Sequence, residues 1–162
     1  MPEVYDIDLL DEEDTQKGKF LTFMLQNEFY GIEIKYVIEI IVIQDISKVP
    51  ELPDYIKGII NLRGKIIPVM DVRLRFKKEE KEYNDRTCIV IIQMGDIFMG
   101  LIVDSVSEVV SIPDSEIVDP PDISRYNNEY IKAIGKTNNG IKLILDCNKL
   151  LKYNDIKSLS SI

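Results

Sequence analysis

The sequence predicts an all-β protein built from two packed five-stranded β-barrels with short helices and a C-terminal helix. Three observations support this. Apolar residues fall in short runs bounded by turn signals, and few stretches keep a helical period. A passage recurs: Tyr30-Gly31-Ile32-Glu33-Ile34-Lys35-Tyr36-Val37-Ile38-Glu39-Ile40-Ile41 returns as Met99-Gly100-Leu101-Ile102-Val103-Asp104-Ser105-Val106-Ser107-Glu108-Val109-Val110, 69 positions on. A second echo, 75 positions apart, matches Tyr55-Ile56-Lys57 with Tyr130-Ile131-Lys132 and Asp71 with Asp146. Such doubling marks two copies of one unit, and a small open sheet would expose edges that closure into a barrel removes.

The elements follow in order. Phe20 to Leu25 reads as a strand, Asn27-Glu28 as a turn and Phe29 to Ile34 as its hairpin partner, followed by a β-branched strand from Val37 to Ile43. Pro50 and Pro53 bracket a loop. Gly58 to Leu62 and Lys65 to Met70 form a hairpin around Arg63-Gly64, where glycine supplies the permissive backbone. Pro68 requires an edge or bulge for its missing N–H. Asp71 caps a short helix, Val72 to Phe76. The charged run Lys77 to Glu82 reads as a solvated connector.

The second copy repeats the plan. Cys88 to Met94 and Ile97 to Val103 turn at Gly95-Asp96, and Val106 to Ile112 repeats the third strand. A longer loop holds Pro113, Pro120 and Pro121. Tyr130 to Lys136 and Ile141 to Leu145 turn at Asn138-Asn139-Gly140, and Asp146 caps Cys147 to Lys152. The expected units are a flexible acidic leader (1–17), a first barrel (18–83), a second barrel (84–152) and a tail (153–162). An exchange of strands between the barrels would leave the same pattern, so sequence does not say which barrel owns each strand.

Composition limits function. The 162 residues hold 28 acidic and 20 basic side chains, a net charge of −8 that repels nucleic-acid backbones. Histidine is absent, which removes the usual general base and the commonest metal ligand. Cys88 and Cys147, the two cysteines, suggest reduced buried thiols rather than a disulfide framework. Glycines are scattered singly, so no phosphate cradle is formed, and the carboxylates match no calcium loop. No apolar run reaches the roughly 20 residues needed to span a bilayer, and the acidic start lacks the features of a secretory signal. The reading is a cytoplasmic, non-enzymatic protein without metal or cofactor, whose partners are proteins. The alternative is a small barrel binding a ligand or nucleic acid, but Tyr30, Tyr36, Tyr55 and Tyr130 do not sit in basic text.

The most unusual segment runs from Lys57 to Val69. Lys136 and Asn138 occupy the second-copy positions of Asn61 and Arg63, so the shared fold requires neither Asn61 nor Arg63. Two readings of Arg63 stand: a solvated turn residue or fork for carbonyls, and a planar cation presented at a reversal beside the joint. Glu39 likewise reads either as a fold carboxylate matched by Glu108 or as an exposed binding group with Arg63 as its neighbour.

Gly31-Ile32-Glu33-Ile34, Val37-Ile38-Glu39-Ile40, Ile56-Lys57-Gly58-Ile59-Ile60-Asn61-Leu62-Arg63-Gly64, Ile67-Pro68-Val69-Met70-Asp71-Val72-Arg73, Gly100 to Asp104 and Lys149-Leu150-Leu151 together resemble the CheW family of chemotaxis coupling proteins, over roughly residues 18–152. The Asn-Leu-Arg-Gly turn is the most specific part. The resemblance implies two SH3-like barrels, no catalysis, and an adaptor bridging the cytoplasmic tip of methyl-accepting chemoreceptors and the regulatory domain of the histidine kinase CheA, recruited to membrane-associated receptor arrays without inserting in the membrane. It implies Val37, Glu39, Gly58, Asn61, Arg63 and Gly64 on the receptor side, along a groove between barrels, and Val109 and Cys88 on the kinase side.

Overall fold

The computed structural model describes residues 16–121 and 129–151. Residues 1–15 of the expected leader and the expected tail lie outside the described residues. One sheet has six strands in the order β8 (Ser105–Ser111), β1 (Lys19–Leu25), β2 (Glu28–Glu33), β11 (Gly140–Leu145), β10 (Ile131–Thr137) and β9 (Ile117–Val118). The other has five, ordered β3 (Val37–Val42), β6 (Cys88–Met94), β7 (Ile97–Val103), β5 (Lys65–Asp71) and β4 (Ile56–Leu62). The all-β class is therefore correct. The expected count of five strands holds for one sheet, and the other gains a sixth: the loop after Pro113 carries β9, which pairs with β10 through Val118 and Ile134. A two-residue strand is too short to show any periodicity.

Each sheet draws strands from both copies. Hairpin β1–β2 of the first copy lies in the sheet of β8–β11, and hairpin β6–β7 of the second lies with β3–β5. The exchange is reciprocal down to the register. Val69 pairs in parallel with Gly100 as Ile144 pairs with Gly31, and Ile41 opposes Ile89 as Val110 opposes Phe20. The recurring glycine has a steric cause. A Cβ on Gly100 would lie 2.7 Å from both Ile89 Cγ2 and Val69 Cγ1, and one on Gly31 2.9 Å from Ile144 Cδ1. The second echo has a cause too: Asp71 N–H donates to the Tyr55 carbonyl and Asp146 N–H to that of Tyr130, both at 2.7 Å.

Among the described residues the core has three compartments. The largest lies between the sheets and takes alternate residues of β1 (Leu21, Phe23, Leu25), β6 (Val90, Ile92) and β7 (Met99, Leu101, Val103). The opposite faces of β6 and β7 (Ile89, Ile91, Ile102) join Ile60, Ile67 and Val69 inside the five-stranded sheet, and Phe20, Ile112 and Ile144 form a small core on the other. Strands buried on both faces need no polar alternation, which explains the near-continuous apolar runs of β6 and β7. Each such side chain contributes about 1.5–3 kcal/mol.

Both caps form as expected. Asp71 accepts from Leu74 N at the start of α1 (Val72–Arg75), and Asp146 accepts from Asn148 N and Lys149 N at α2 (Cys147–Leu150). Pro68 lies in an interior strand, but the pairing of β5 with β7 begins only at Val69. Its missing N–H therefore falls where that side of the strand has no ladder partner.

The charged connector is not simply solvated. Lys78 Nζ meets Glu28 Oε1 at 2.9 Å, the Glu79 carbonyl accepts from Arg73 Nη1 at 3.2 Å, and Lys57 pairs with Glu80 at 2.5 Å. Just beyond, the Tyr83 hydroxyl donates to Asp71 Oδ2 at 2.7 Å. Glu28 and Lys57, the partners of Lys78 and Glu80, come from distant segments, which a local charge pattern does not reveal. Among the described residues no helix is long and apolar enough to cross a membrane.

Candidate functional site

Strands β3 and β4 are the two edges of the five-stranded sheet, and they are tied together in two places. Ser47, beyond β3, bridges to Ile59 of β4 through a pair of 2.9 Å backbone hydrogen bonds. Arg63, in the β4–β5 turn, donates from Nη2 to Glu39 Oε1 of β3. The sheet therefore curls until its edges meet. Gly58 sits under the first tie: its φ is +147°, and a Cβ there would fall 2.0 Å from the Ser47 carbonyl oxygen. Only glycine accommodates both the conformation and the contact.

The second tie depends on an unusual backbone. Arg63 and Gly64 both occupy the left-handed region, at φ +52° and +87°, as a two-residue reversal requires. Glycine does so freely, whereas a side chain with a Cβ pays about 1–2 kcal/mol. Asn61 Oδ1 accepts from Gly64 N at 2.8 Å and holds the turn closed. The second-copy hairpin turns differently: Gly140 is left-handed at φ +107°, and the equivalent of Arg63, Asn138, is not. The cost at Arg63 thus belongs to this turn and not to the repeated plan.

The Arg63 side chain is 71% exposed and that of Glu39 27%. Glu39 points to the same face as Ile41, whereas the register shift between Val37 and Glu39 turns Val37 towards the core between the sheets. The opposite face of β3 presents Ile38, Ile40 and Val42, which are 49%, 41% and 70% exposed. Aliphatic side chains at alternate positions of an edge strand, its outer backbone unpaired in the sheet, form a surface suited to a protein partner. Sequence reasoning missed these three because the run from Val37 to Ile43 is apolar on both faces except at Glu39.

Of the six receptor-side candidates, Asn61, Arg63 and Gly64 are exposed, Val37 and Glu39 half-buried, and Gly58 buried. All six lie on the strands or the β4–β5 turn of the five-stranded sheet, and Val37 also packs against the core between the sheets. The two kinase-side candidates are not brought together in one sheet. Val109 is 51% exposed on edge strand β8, whereas Cys88 is half-buried in β6, its thiol donating to the Arg86 carbonyl at 3.4 Å. Cys147 is buried, and burial pushes its thiol up to about 12. Both cysteines are free thiols.

Glu39 is neutralised by Arg63, and among the described residues no group of three or more Cys, Asp or Glu side chains could hold a metal ion. Burial alone would raise the Asp104 carboxyl. Hydrogen bonds from Arg73 and from Gln26 N–H, with the charges of Arg73 and Lys81, outweigh it and hold that carboxyl below the ordinary range.

Comparison with known proteins places the architecture. A family model described as a CheW-like domain matches residues 19–155. The chain is 37% identical to the chemotaxis protein CheW of Bacillus subtilis over 141 residues, covering 86% of this chain and 90% of that one. It is 31% identical to the CheW of Klebsiella aerogenes over 150 residues, covering 92% and 90%. The crystal structure of the scaffolding protein TtCheW from Thermoanaerobacter tengcongensis superposes with a TM-score of 0.78 at 36% identity, covering 85% of this chain and 94% of that one.

Proposed function

The chain belongs to the CheW-like family of chemotaxis scaffold proteins, and we propose that it is a non-catalytic adaptor coupling methyl-accepting chemoreceptors to the histidine kinase CheA. The observation that carries this reading is the β3 edge with its turn. An exposed arginine is held by Glu39 in a costly backbone conformation, and the other face of the same edge strand carries three exposed aliphatics. A planar, permanently charged guanidinium at an exposed turn, on a sheet edge that also exposes apolar area, is the composition of an interface anchor.

The receptor side comprises Arg63, Glu39, Asn61 and Gly64, with Val37 and Gly58 setting the strand and turn that present them. The kinase side includes Val109 on the exposed edge of the other sheet. Cys88, half-buried, contributes less surface. The adaptor works in the cytoplasm at receptor arrays, held there by its partners.

Titration of a receptor cytoplasmic fragment and of a CheA regulatory domain, separately and together, against the purified chain tests this. Binding to both, with Arg63→Ala weakening the receptor arm by about 1–3 kcal/mol and sparing the kinase arm, is the expected result. Failure to bind either partner overturns the reading.

A further inference from the structure

Arg75 touches both copies at positions that correspond. Its guanidinium carbon lies 4.3 Å from the Tyr55 ring centroid and 5.0 Å from that of Tyr130, the two tyrosines matched at an interval of 75 residues. Tyr55 leads into β4 of the five-stranded sheet and Tyr130 into β10 of the six-stranded one. Nε and Nη2 of Arg75 donate to the Leu150 carbonyl at 3.2 and 3.1 Å. Leu150 is the second-copy counterpart of Arg75 itself, again 75 positions on.

One arginine therefore serves both repeats, with a buried leucine in the matching place. Tyr130 in turn stacks on Phe76 at 5.2 Å, Phe76 meets Tyr30 at 5.5 Å, and Tyr30 stacks on Phe23 at 5.8 Å in the core between the sheets. Cation–π contacts constrain the plane and position of the charge. The two-donor fork onto one carbonyl fixes its rotation. A guanidinium so held resists any swing that moves Tyr55 relative to Tyr130.

We propose that Arg75 is a latch setting the angle between the two sheets, and that transmission of state between the adaptor's two partners depends on it; the second clause rests on the adaptor reading above. Coupling between sites requires that strain at one reach the other through a shared element. A body free to flex at its seam would dissipate it.

The full-length chain, with Cys88 and Cys147 changed to alanine and spin labels at Ile66→Cys and Ile141→Cys, one on each sheet, provides the first test. Arg75→Leu is expected to broaden the inter-label distance distribution while circular dichroism stays that of the folded chain. Should Arg75→Leu not fold, Arg75→Lys, which keeps the charge but loses the planar fork, decides instead. An unbroadened distribution in the folded variant overturns the latch. In unlabelled protein, Arg75→Leu is expected to keep each separate partner affinity within about twofold, while the factor by which one partner alters the other's affinity, typically about 5–150-fold in coupled systems, falls towards one. A coupling factor equal to wild type overturns the transmission role. Wild type binding neither partner would fail the adaptor reading and the transmission clause with it, and the distance measurement would still decide the latch.

Discussion

Arg73 grips Asp104 at two points, Nε to Oδ1 at 2.7 Å and Nη2 to Oδ2 at 2.5 Å, and the two residues come from different copies of the repeat. Their side chains are only 10% and 14% exposed. Gln26 N–H adds a third bond to the same carboxylate at 2.8 Å, so one acid ties the β1–β2 turn, α1 and the β7–β8 junction together.

Asp104→Ala leaves the largely buried Arg73 cation without its counter-charge. The expected loss is about 3–5 kcal/mol, measured as a shift in the urea unfolding midpoint at unchanged slope.

The same pair sets a pH dependence. The folded Asp104 carboxyl titrates below its unfolded value because Arg73 and Gln26 outweigh its burial. Its contribution is therefore present above the unfolded value, about 3.9, and is lost as pH falls through the lower folded value. Unfolding free energies measured from pH 6 down to about 2 should fall more steeply for wild type than for Asp104→Asn; parallel curves would count against the assignment.

Gly100→Ala should be costlier than Gly31→Ala. The new methyl at Gly100 meets two branched side-chain carbons at 2.7 Å, held by χ1 preferences of Ile89 and Val69, whereas at Gly31 it meets the terminal methyl of Ile144 at 2.9 Å. Overpacking of the first kind costs about 1–3 kcal/mol. Paired thermal melts would show the order.

Arg63→Asn separates function from stability. It removes an exposed ion pair contributing at most about 1 kcal/mol and places at φ +52° a residue that tolerates that region better. The variant should melt at or above the wild-type temperature and still lose receptor binding. A clear drop in melting temperature would mean that the turn serves the fold more than the partner.

Thiol alkylation at pH 8 should modify Cys88 first and Cys147 only as the chain opens. Burial raises the Cys147 thiol to about 12, leaving almost no thiolate, the reactive form. Mass spectrometry of brief labelling in native buffer reads the order directly.

Much of the fold was legible because its signals are local. The turns at Arg63-Gly64 and Gly95-Asp96 fall where sequence places them, and Asp71 and Asp146 cap their helices through bonds to N–H groups two or three residues away. The repeat was legible for a different reason. Gly31 and Gly100 each answer the same close approach by a partner strand, so one contact constrains two positions alike.

Which sheet each hairpin joins could not be read, because β1–β2 and β6–β7 carry equivalent patterns and pair equally well with either copy's remaining strands. That choice rests on contacts between residues far apart in the chain, such as Arg73 with Asp104. The candidate surface divides the same way. Chemical type and backbone preference single out Arg63 within its own turn, but its bond to Glu39 and the outward face of Ile38, Ile40 and Val42 exist only once the sheet has curled and one side of β3 has been buried.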